Sequence, residues 1–177
     1  VSILFQQAQA PISTRAYDFV MSARHPWISR WAGPTRDDQD IVVESLSQMG
    51  LEALMHRDVG SLSGGERRRV ELAATVAQNA QTILLDEPVN HLDLHYQINL
   101  LQDALTKWRA EGRAVVMVMH DLNLAIRFSD HLLCLCGDGS ILQGETSAVA
   151  TTENLSTLLR YPLQELTLGD RSFFIPA

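Results

Sequence analysis

Two adjacent carboxylates follow a short apolar run near the middle of the chain. The run TILL (residues 82–85) has the length and composition of a buried parallel strand, and Asp86 and Glu87 come directly after it. One carboxylate at such a strand end can bind Mg²⁺, and the second can orient or deprotonate a water molecule. Nucleotide hydrolysis needs both functions. An isolated Asp-Glu pair also has a simpler interpretation, in which Asp86 caps a loop and Glu87 is solvated.

A histidine occupies the same kind of position after the next apolar run. His120 follows the residues from Ala114 to Met119, which we predict as a second buried strand. Ligands of open parallel sheets bind beyond the carboxyl ends of the strands. We therefore expect His120 to lie on the same edge of the sheet as Asp86 and Glu87.

A glycine-containing segment precedes these strands. Ser63-Gly64-Gly65-Glu66 has the pattern of a capping box that opens a helix from about Glu66 to Asn79. Two glycines let backbone amides approach a ligand closely, and a helix N-terminus favours phosphate. Taken alone, the segment is better explained as a helix cap.

Helical and strand patterns alternate along the chain, and this alternation predicts an α/β fold with a largely parallel sheet. Residues 1–5 resemble a short buried strand, and Asp93 caps a helix that Gly112 ends. The other predicted elements are a helix at Ala16–Ser22, a helix opened by Thr35 and Asp38 and ended by Gly50, a helix carrying Leu124 and Phe128, a hairpin of residues 131–136 and 141–144, a helix near Glu153–Arg160 and a small hairpin across Gly169-Asp170.

The composition restricts the class of protein. A length of 177 residues suits one domain, and no run reaches the ~18 apolar residues of a membrane span. The net charge of −7 argues against a general binder of nucleic-acid phosphates. Cys134 and Cys136 are too close for an ordinary stabilising loop, so we expect reduced thiols that pack in the core.

Four segments, LSGGERRRVELA, TILLDEP, NHLDL and VMVMHDLNLA, occur in this order at short spacing. The set resembles the second half of an ATP-binding-cassette (ABC) ATPase, and the resemblance covers nearly the whole chain. It implies a P-loop NTPase-like parallel sheet with a helical subdomain. The implied divisions of this partial ATPase domain are a helical and signature subdomain (about 12–80), a Walker B and switch core (81–136) and C-terminal hairpins with a helix (137–177).

The resemblance assigns a role to each of these segments. Asp86 matches the Walker B aspartate that supports Mg²⁺, Glu87 the glutamate that activates water, and His120 the switch histidine that senses the γ-phosphate. The signature motif, which contacts ATP bound to the opposite subunit, corresponds to Leu62, Ser63, Gly64, Gly65 and Glu66.

Two further segments carry roles in this family. The D-loop, which passes between the two subunits and links their sites, corresponds to Asn90, His91, Leu92 and Asp93. The resemblance implies that Asp93 contributes to nucleotide binding. Gln6 matches the glutamine of the Q-loop near Mg²⁺, and Gln7 is the alternative if the register slips by one. Val89 and Asn90 stand where the family usually has Thr or Ser.

One motif of the family does not occur. The chain has no G-x-x-x-x-G-K-[ST], and its single lysine, Lys107, lies on the helix that Asp93 caps. The chain also begins with Val1 inside an apolar run. We therefore expect a fragment that lacks the N-terminal strands and the phosphate-binding loop, so that the intact parent hydrolyses ATP and this fragment alone is inactive.

Two passages resemble importer ATPases in particular. HDLNLAIRFSD and ARHPW (Ala23 to Trp27) are similar to segments of ferric-siderophore, haem and cobalamin importer ATPases. The resemblance implies a second ATPase subunit and membrane permease subunits as partners, an indirect link to a periplasmic binding protein, and a peripheral location on the cytoplasmic face of the inner membrane. The alternatives are a cassette that acts on ribosome or DNA without a permease, and an inactive truncated product.

Three other groups of residues have more than one interpretation. The loop from Arg24 to Trp31, with two tryptophans and basic residues, is either a docking surface or a cover for the adjacent helices. The run Arg67 to Arg69 is either a solvated face with dipole or ion-pair interactions or a phosphate contact, and we expect a mixture of the two. A metal site at His91, Asp93 and His95 is disfavoured because no further ligands are near in the sequence.

Overall fold

The computed structural model describes residues 1–6, 13–29, 31–90, 92–169 and 171–177, and the backbone alone of Leu94. The predicted roles of Gln7 and His91, and the turn residue Asp170, lie outside the described residues. Two compact units make up the chain, Val1–Val118 and Met119–Ala177. Among the described residues, no helix combines the length and the apolar character needed to cross a membrane.

The first unit contains a three-stranded parallel sheet in the order β1-β2-β3. Its strands are β1 (Ser2–Leu4), β2 (Thr82–Asp86) and β3 (Ala114–Val118). Leu4 pairs with Leu85, and Asp86 pairs with Val118. The carboxyl ends of all three strands therefore lie along one edge, as the α/β prediction requires, and the predicted fold class is confirmed.

In the part of this unit that the structure describes, four helices accompany the sheet. They are α1 (Ala16–Ser22), α2 (Arg36–Gln48), α3 (Gly64–Ala77) and α4 (Leu94–Ala110), with 3-10 turns at Glu52–Leu54 and Val59–Ser61. Helices α1, α2 and α3 pack on one another. Thr35 and Asp38 form a complete capping box at the start of α2, and Gly112 ends α4 with a φ of +67°.

The prediction that the strands of this sheet are buried is wrong for one face of the sheet in the described chain. Ile83 and Leu85 of β2 are buried, but the alternate side chains on the neighbouring strands, Ile3, Val116 and Val118, are exposed. Side chains alternate between the two faces of a sheet, so these exposed residues share one face. The apolar runs predicted the positions of the strands correctly. Whether the second face of the sheet is buried depends on what packs against it, and the strand sequences alone do not show this.

The second unit combines two antiparallel hairpins with three helices. Its elements are α5 (Leu122–Phe128), β4 (His131–Leu135), β5 (Ile141–Glu145), α6 (Thr146–Val149), α7 (Thr152–Leu159), β6 (Leu163–Leu168) and β7 (Arg171–Pro176). Leu155, Leu163 and Phe174 form its core. The predicted hairpins and tail helix are confirmed, and the single turn α6 was not predicted.

Candidate functional site

The glycine-containing segment opens helix α3 with a complete capping box. Ser63 Oγ accepts from the Glu66 amide at 3.3 Å, and the Glu66 carboxylate accepts from the Ser63 amide at 2.8 Å. Hydrogen bonds from the hydroxyl and then the amide of Ser63 lower the pKa of Glu66. The predicted helix start is confirmed two residues earlier than expected, and Glu66 is an ionised cap.

Gly64 lies at the surface of this helix start. A Cβ built there meets no other atom of the chain within 4 Å, and its φ is not positive. Neither packing within the chain nor backbone conformation therefore requires glycine at this position. Gly64 is exposed, and free N–H groups at the start of a helix can donate to a phosphate oxygen from outside.

The candidate general base lies in an unusual backbone conformation directly after β2. Glu87 has a φ of +47°, in the left-handed region that residues with a side chain seldom adopt. Its amide donates to Val118 O at 3.0 Å, at the end of the neighbouring strand. Glu87 is 8% exposed, and the side-chain amide of Asn90 donates to its Oε2 at 2.6 Å. Several contacts thus hold Glu87 in a conformation that costs about 1–3 kcal/mol.

The candidate Mg²⁺ ligands follow two adjacent strands. Asp86 is the last residue of β2, and Gln6 lies two residues beyond β1, which pairs with β2 in parallel. Asp86 is half-buried and Gln6 is exposed. A carboxylate and an amide oxygen are hard ligands of the type that Mg²⁺ prefers, so the chemistry of these residues fits the ion.

The segment matched to the D-loop leads into helix α4. Asp93 caps this helix by accepting from the Tyr96 amide at 3.1 Å, and Gln97 donates to Leu92 O at 2.9 Å. Leu92 is buried, whereas Asn90 and Asp93 are exposed. Asp93 therefore has a structural role within the chain, and its predicted contact with nucleotide stays a prediction.

His120 belongs to the second unit and is exposed. It precedes Asp121, which caps helix α5 by accepting from the Leu124 amide at 2.9 Å. Strand β3, which ends two residues before His120, is the parallel neighbour of β2. The expected proximity of His120 to Asp86 and Glu87 stays a prediction.

The three arginines do not form one solvated face, although Arg67 and Arg68 both pair with Glu71, as the ion-pair interpretation expected. A contact of this run with phosphate stays a prediction. Arg67 is partly exposed and lies 3.5 Å from the Glu71 carboxylate. Arg68 and Arg69 are buried, at 4% and 9% exposure, and donate mainly to backbone carbonyls. A run of charged residues predicts solvent exposure. Arg68 and Arg69 are buried instead because they donate to carbonyls far away in the sequence, and the sequence alone does not show these contacts.

The loop from Arg24 to Trp31 combines one anchored tryptophan with one exposed tryptophan. Trp27 Nε1 donates to Gln78 O at 2.7 Å, and the Arg24 guanidinium lies 5.5 Å from the Trp27 ring centroid. Arg24 also pairs with Asp38 at 2.9 Å. Trp27 is 57% exposed and Trp31 is 94% exposed. The loop thus covers the end of α3, as expected of a cover for the adjacent helices. It also exposes aromatic side chains, as expected of a docking surface.

Comparison with known proteins places this arrangement in a family. The family model described as "ABC transporter" matches residues 1–90. The achromobactin transport ATP-binding protein CbrD of Dickeya dadantii is 36% identical over 152 residues, which are 84% of this chain and 55% of CbrD. The cobalamin import ATP-binding protein BtuD of Halobacterium salinarum is 39% identical over 136 residues, 77% of this chain and 33% of BtuD. The chain therefore spans little more than half the length of such relatives, or less.

Solved structures agree with the sequence relatives. An ABC transporter assigned to the metal-chelate type, in an inward-facing conformation, superposes with a TM-score of 0.86 at 28% identity, covering 99% of this chain and 71% of that chain. A dimeric bacterial ABC transporter cassette gives a TM-score of 0.72 at 26% identity, covering 82% of this chain and 62% of that chain. The resemblance predicted from the four segments is confirmed, and the chain belongs to the ABC transporter family as part of its ATPase domain.

Proposed function

We propose that residues 1–177 belong to a subunit that hydrolyses ATP, with a phosphate-binding loop contributed by polypeptide outside these residues. The observation that carries this proposal is the position of Asp86 and Glu87 at the carboxyl end of β2, where Glu87 is buried and hydrogen-bonded to Asn90. A buried carboxylate with a fixed direction suits a general base better than a solvated surface residue does. This position argues against the simpler interpretation of the Asp-Glu pair.

Different residues of the chain would carry out different parts of ATP hydrolysis. Asp86 and Gln6 would hold Mg²⁺, which when bound neutralises the charge of the phosphate oxygens. Glu87 orients the attacking water and accepts its proton, and His120 contacts the γ-phosphate. Gly64, Gly65 and Ser63 present the start of α3 to ATP bound by the opposite subunit, because Ser63 and Gly64 are exposed and the helix dipole favours an anion.

We propose further that this ATPase energises a membrane importer for an iron chelate or cobalamin. The printed names of relatives support this substrate class, since CbrD is an achromobactin transport protein and BtuD a cobalamin import protein. The partners would be a second ATPase subunit and the permease subunits, with a periplasmic binding protein acting through the permease. The ATPase would lie on the cytoplasmic face of the membrane as a peripheral subunit.

The loop from Arg24 to Trp31 is the surface that we propose for permease docking. Trp31 is 94% exposed. Trp27 donates to Gln78 O and lies against the Arg24 guanidinium, and these contacts fix the position of its ring. Aromatic residues and arginine are enriched at protein interfaces. The cover that Trp27 gives to the end of α3 is compatible with this role.

Copurification tests the importer proposal directly. The complete ATPase, expressed with its genomic neighbours and extracted in mild detergent, is expected to copurify with permease subunits and to hydrolyse ATP when Mg²⁺ is present. Cosedimentation with ribosomes or retention on DNA, without permease subunits, would instead support the alternative cassette function. Full activity in a Glu87→Gln variant would reject the assignment of the general base.

A further inference from the structure

One buried guanidinium joins helix α3 to the carboxyl ends of two strands. Arg68 Nη1 donates to Phe5 O at 2.7 Å, one residue after β1. Arg68 Nη2 donates to Asp86 O at 2.7 Å and to Glu87 O at 2.8 Å, and Nε donates to Pro88 O at 3.3 Å. The side chain therefore contacts the backbone just after β1 and the backbone at and just after the end of β2.

The fifth hydrogen bond of this guanidinium goes to a carboxylate. Arg68 Nη1 lies 2.9 Å from Glu71 Oε2, three residues along the same helix. A guanidinium has five N–H donors in a planar fork, and Arg68 uses all five. Glu71 balances the charge, which makes the burial of Arg68 possible.

The carbonyls that Arg68 holds belong to the residues that carry the proposed chemistry. Asp86, Glu87 and Pro88 are consecutive, and Glu87 is the residue with a φ of +47°. A left-handed conformation persists where surrounding contacts impose it. The Glu87 amide is fixed by Val118 O, and its carbonyl is fixed by Arg68 Nη2, so both ends of this strained residue are restrained.

No other side chain could make the same set of contacts. Lysine has three donors on a single nitrogen, and glutamine has two, so each would leave carbonyl oxygens near Asp86 without a donor. Methionine has a similar stem and no N–H donor. The requirement for several parallel donors in one plane explains an arginine at this position of α3.

We propose that Arg68 is a positioning residue that sets the backbone of Asp86 to Pro88 and thereby the direction of the Glu87 carboxylate. This inference rests on the proposed ATPase function and adds to it a residue whose five donors all go to acceptors within the chain. Because α3 begins at the glycine-containing segment, the same side chain links the start of that helix to Glu87. Arg68 acts through Glu87, and its loss displaces the base without removing it.

The test compares three variants of the complete ATPase in steady-state MgATP hydrolysis. Arg68→Met is expected to lower kcat by about 10²-fold with KM for ATP changed less than about threefold, because a misplacement of ~1 Å costs this much in rate. Arg68→Lys, with three donors, is expected to fall between wild type and Arg68→Met. Arg69→Met is the matched control, since Arg69 is also buried, one residue further on, but donates to Met49 O and Gly50 O.

Equal effects of Arg68→Met and Arg69→Met on kcat, or wild-type kcat in Arg68→Met, would overturn the proposal. Melting temperatures of all variants separate rate losses from unfolding, and Arg68→Lys replaces Arg68→Met if the latter does not fold. Amide hydrogen exchange gives an independent result. The Glu87 and Asn90 amides, bonded to Val118 O and Glu87 O, should exchange about tenfold faster in Arg68→Lys and remain protected in Arg69→Met.

The two readouts distinguish failure of this inference from failure of the proposed function. A wild-type protein without ATPase activity would refute the proposed function, and the exchange experiment would still decide whether Arg68 fixes residues 86–88. An active wild type with unchanged exchange at Glu87 in Arg68→Lys would refute the positioning role alone.

Discussion

The Asn90 side chain donates a hydrogen bond of 2.6 Å to Oε2 of Glu87, three residues earlier in the chain. The backbone amide of Asn90 also donates to Glu87 O at 3.2 Å, so residues 87–90 form a short hydrogen-bonded turn. This side-chain donor fixes the plane in which the carboxylate lies. Glu87 is thus oriented by the residue that begins the D-loop match, in addition to the backbone contacts from Arg68 and Val118.

The first prediction concerns Glu87 itself. Glu87→Gln in the complete ATPase should lower the turnover of MgATP by about 10²–10⁴-fold, because it removes a positioned base and keeps the shape of the side chain. ATP should remain bound in a closed dimer, which size-exclusion chromatography with labelled ATP measures. Glu44→Gln, at an exposed residue of α2 paired with Lys107, is the control and should keep wild-type turnover. His120→Ala should also lose turnover.

The second prediction tests the contact between Asn90 and Glu87. Asn90→Asp places a second carboxylate within hydrogen-bond distance of Glu87, and two adjacent carboxylates hold a proton more tightly than one. The acidic limb of the pH–kcat profile should therefore move to higher pH. Asn90→Ser, which adds no charge, should lower kcat and leave the position of that limb unchanged. An unaltered profile in Asn90→Asp would show that the contact does not form in the working enzyme.

Local patterns and long-range contacts differed in how well the sequence predicted them. The capping boxes at Thr35 and Ser63 were predicted because both partners lie within four residues of each other. The burial of Arg68 was not, since its acceptors at Phe5 and Glu87 are far away in the chain and are brought near by parallel strand pairing. The order of segments predicted the family, because a series of motifs is more specific than any single one.

The same distinction applies to the site. The carboxylates at the end of β2 were predicted, because an apolar run marks where a strand ends. The φ of +47° at Glu87 and the contact with Asn90 were not, although an Asn three residues after a carboxylate is a weak signal for such a turn. Backbone strain of this kind depends on contacts from several elements and leaves no signature in residue order.

The third prediction concerns acid stability through Asp38. The Thr35 hydroxyl and amide donate to this carboxylate, and Arg24 lies beside it, so the pKa of Asp38 is lowered from its ordinary value of 3.8. A lowered folded-state pKa means that the contribution to stability is present above 3.8 and is lost as the pH falls through the lowered value. Asp38→Asn should therefore lower the melting temperature at neutral pH and lower it less in acid.

Thermal unfolding at about pH 7 and about pH 3 measures this difference, since the linkage acts near the carboxylate pKa. Asp37→Asn, at an exposed residue in the same first turn of α2, is the control and should show a smaller change. A constant difference between wild type and Asp38→Asn at both pH values would mean that the carboxylate charge is not what stabilises this helix start.

The fourth prediction concerns docking. Trp27→Ala should weaken association with permease subunits more than it lowers basal ATPase activity, because Trp27 is 57% exposed. Trp31→Ala should weaken association without a change in melting temperature, since Trp31 is 94% exposed. Pull-down with detergent-extracted permease measures association. Equal loss of association and of folding in Trp27→Ala, with no effect of Trp31→Ala, would mean that the loop only covers α3.

The last prediction concerns residues 1–177 on their own. They contain no G-x-x-x-x-G-K-[ST], so the amides and the lysine that bind phosphate in this family are not among them. We expect MgATP to bind with a Kd above about 1 mM, where only ~4 kcal/mol of binding free energy remains. Isothermal titration measures this affinity. Micromolar binding would mean that Gln6, Asp86 and Glu87 hold nucleotide without a phosphate-binding loop.

Self-association is the second expected property of this polypeptide. Ile3, Val116 and Val118 expose an apolar sheet face, and an uncovered apolar patch favours contacts between copies. Size-exclusion chromatography should therefore detect oligomers whose population rises with concentration. Val116→Thr keeps a β-branched side chain and reduces the apolar area, so it should shift the distribution toward monomer. Arg171→Ser, at an exposed residue of β7, is the control and should not change it. A monomeric wild type at high concentration would refute a role for this face in self-association.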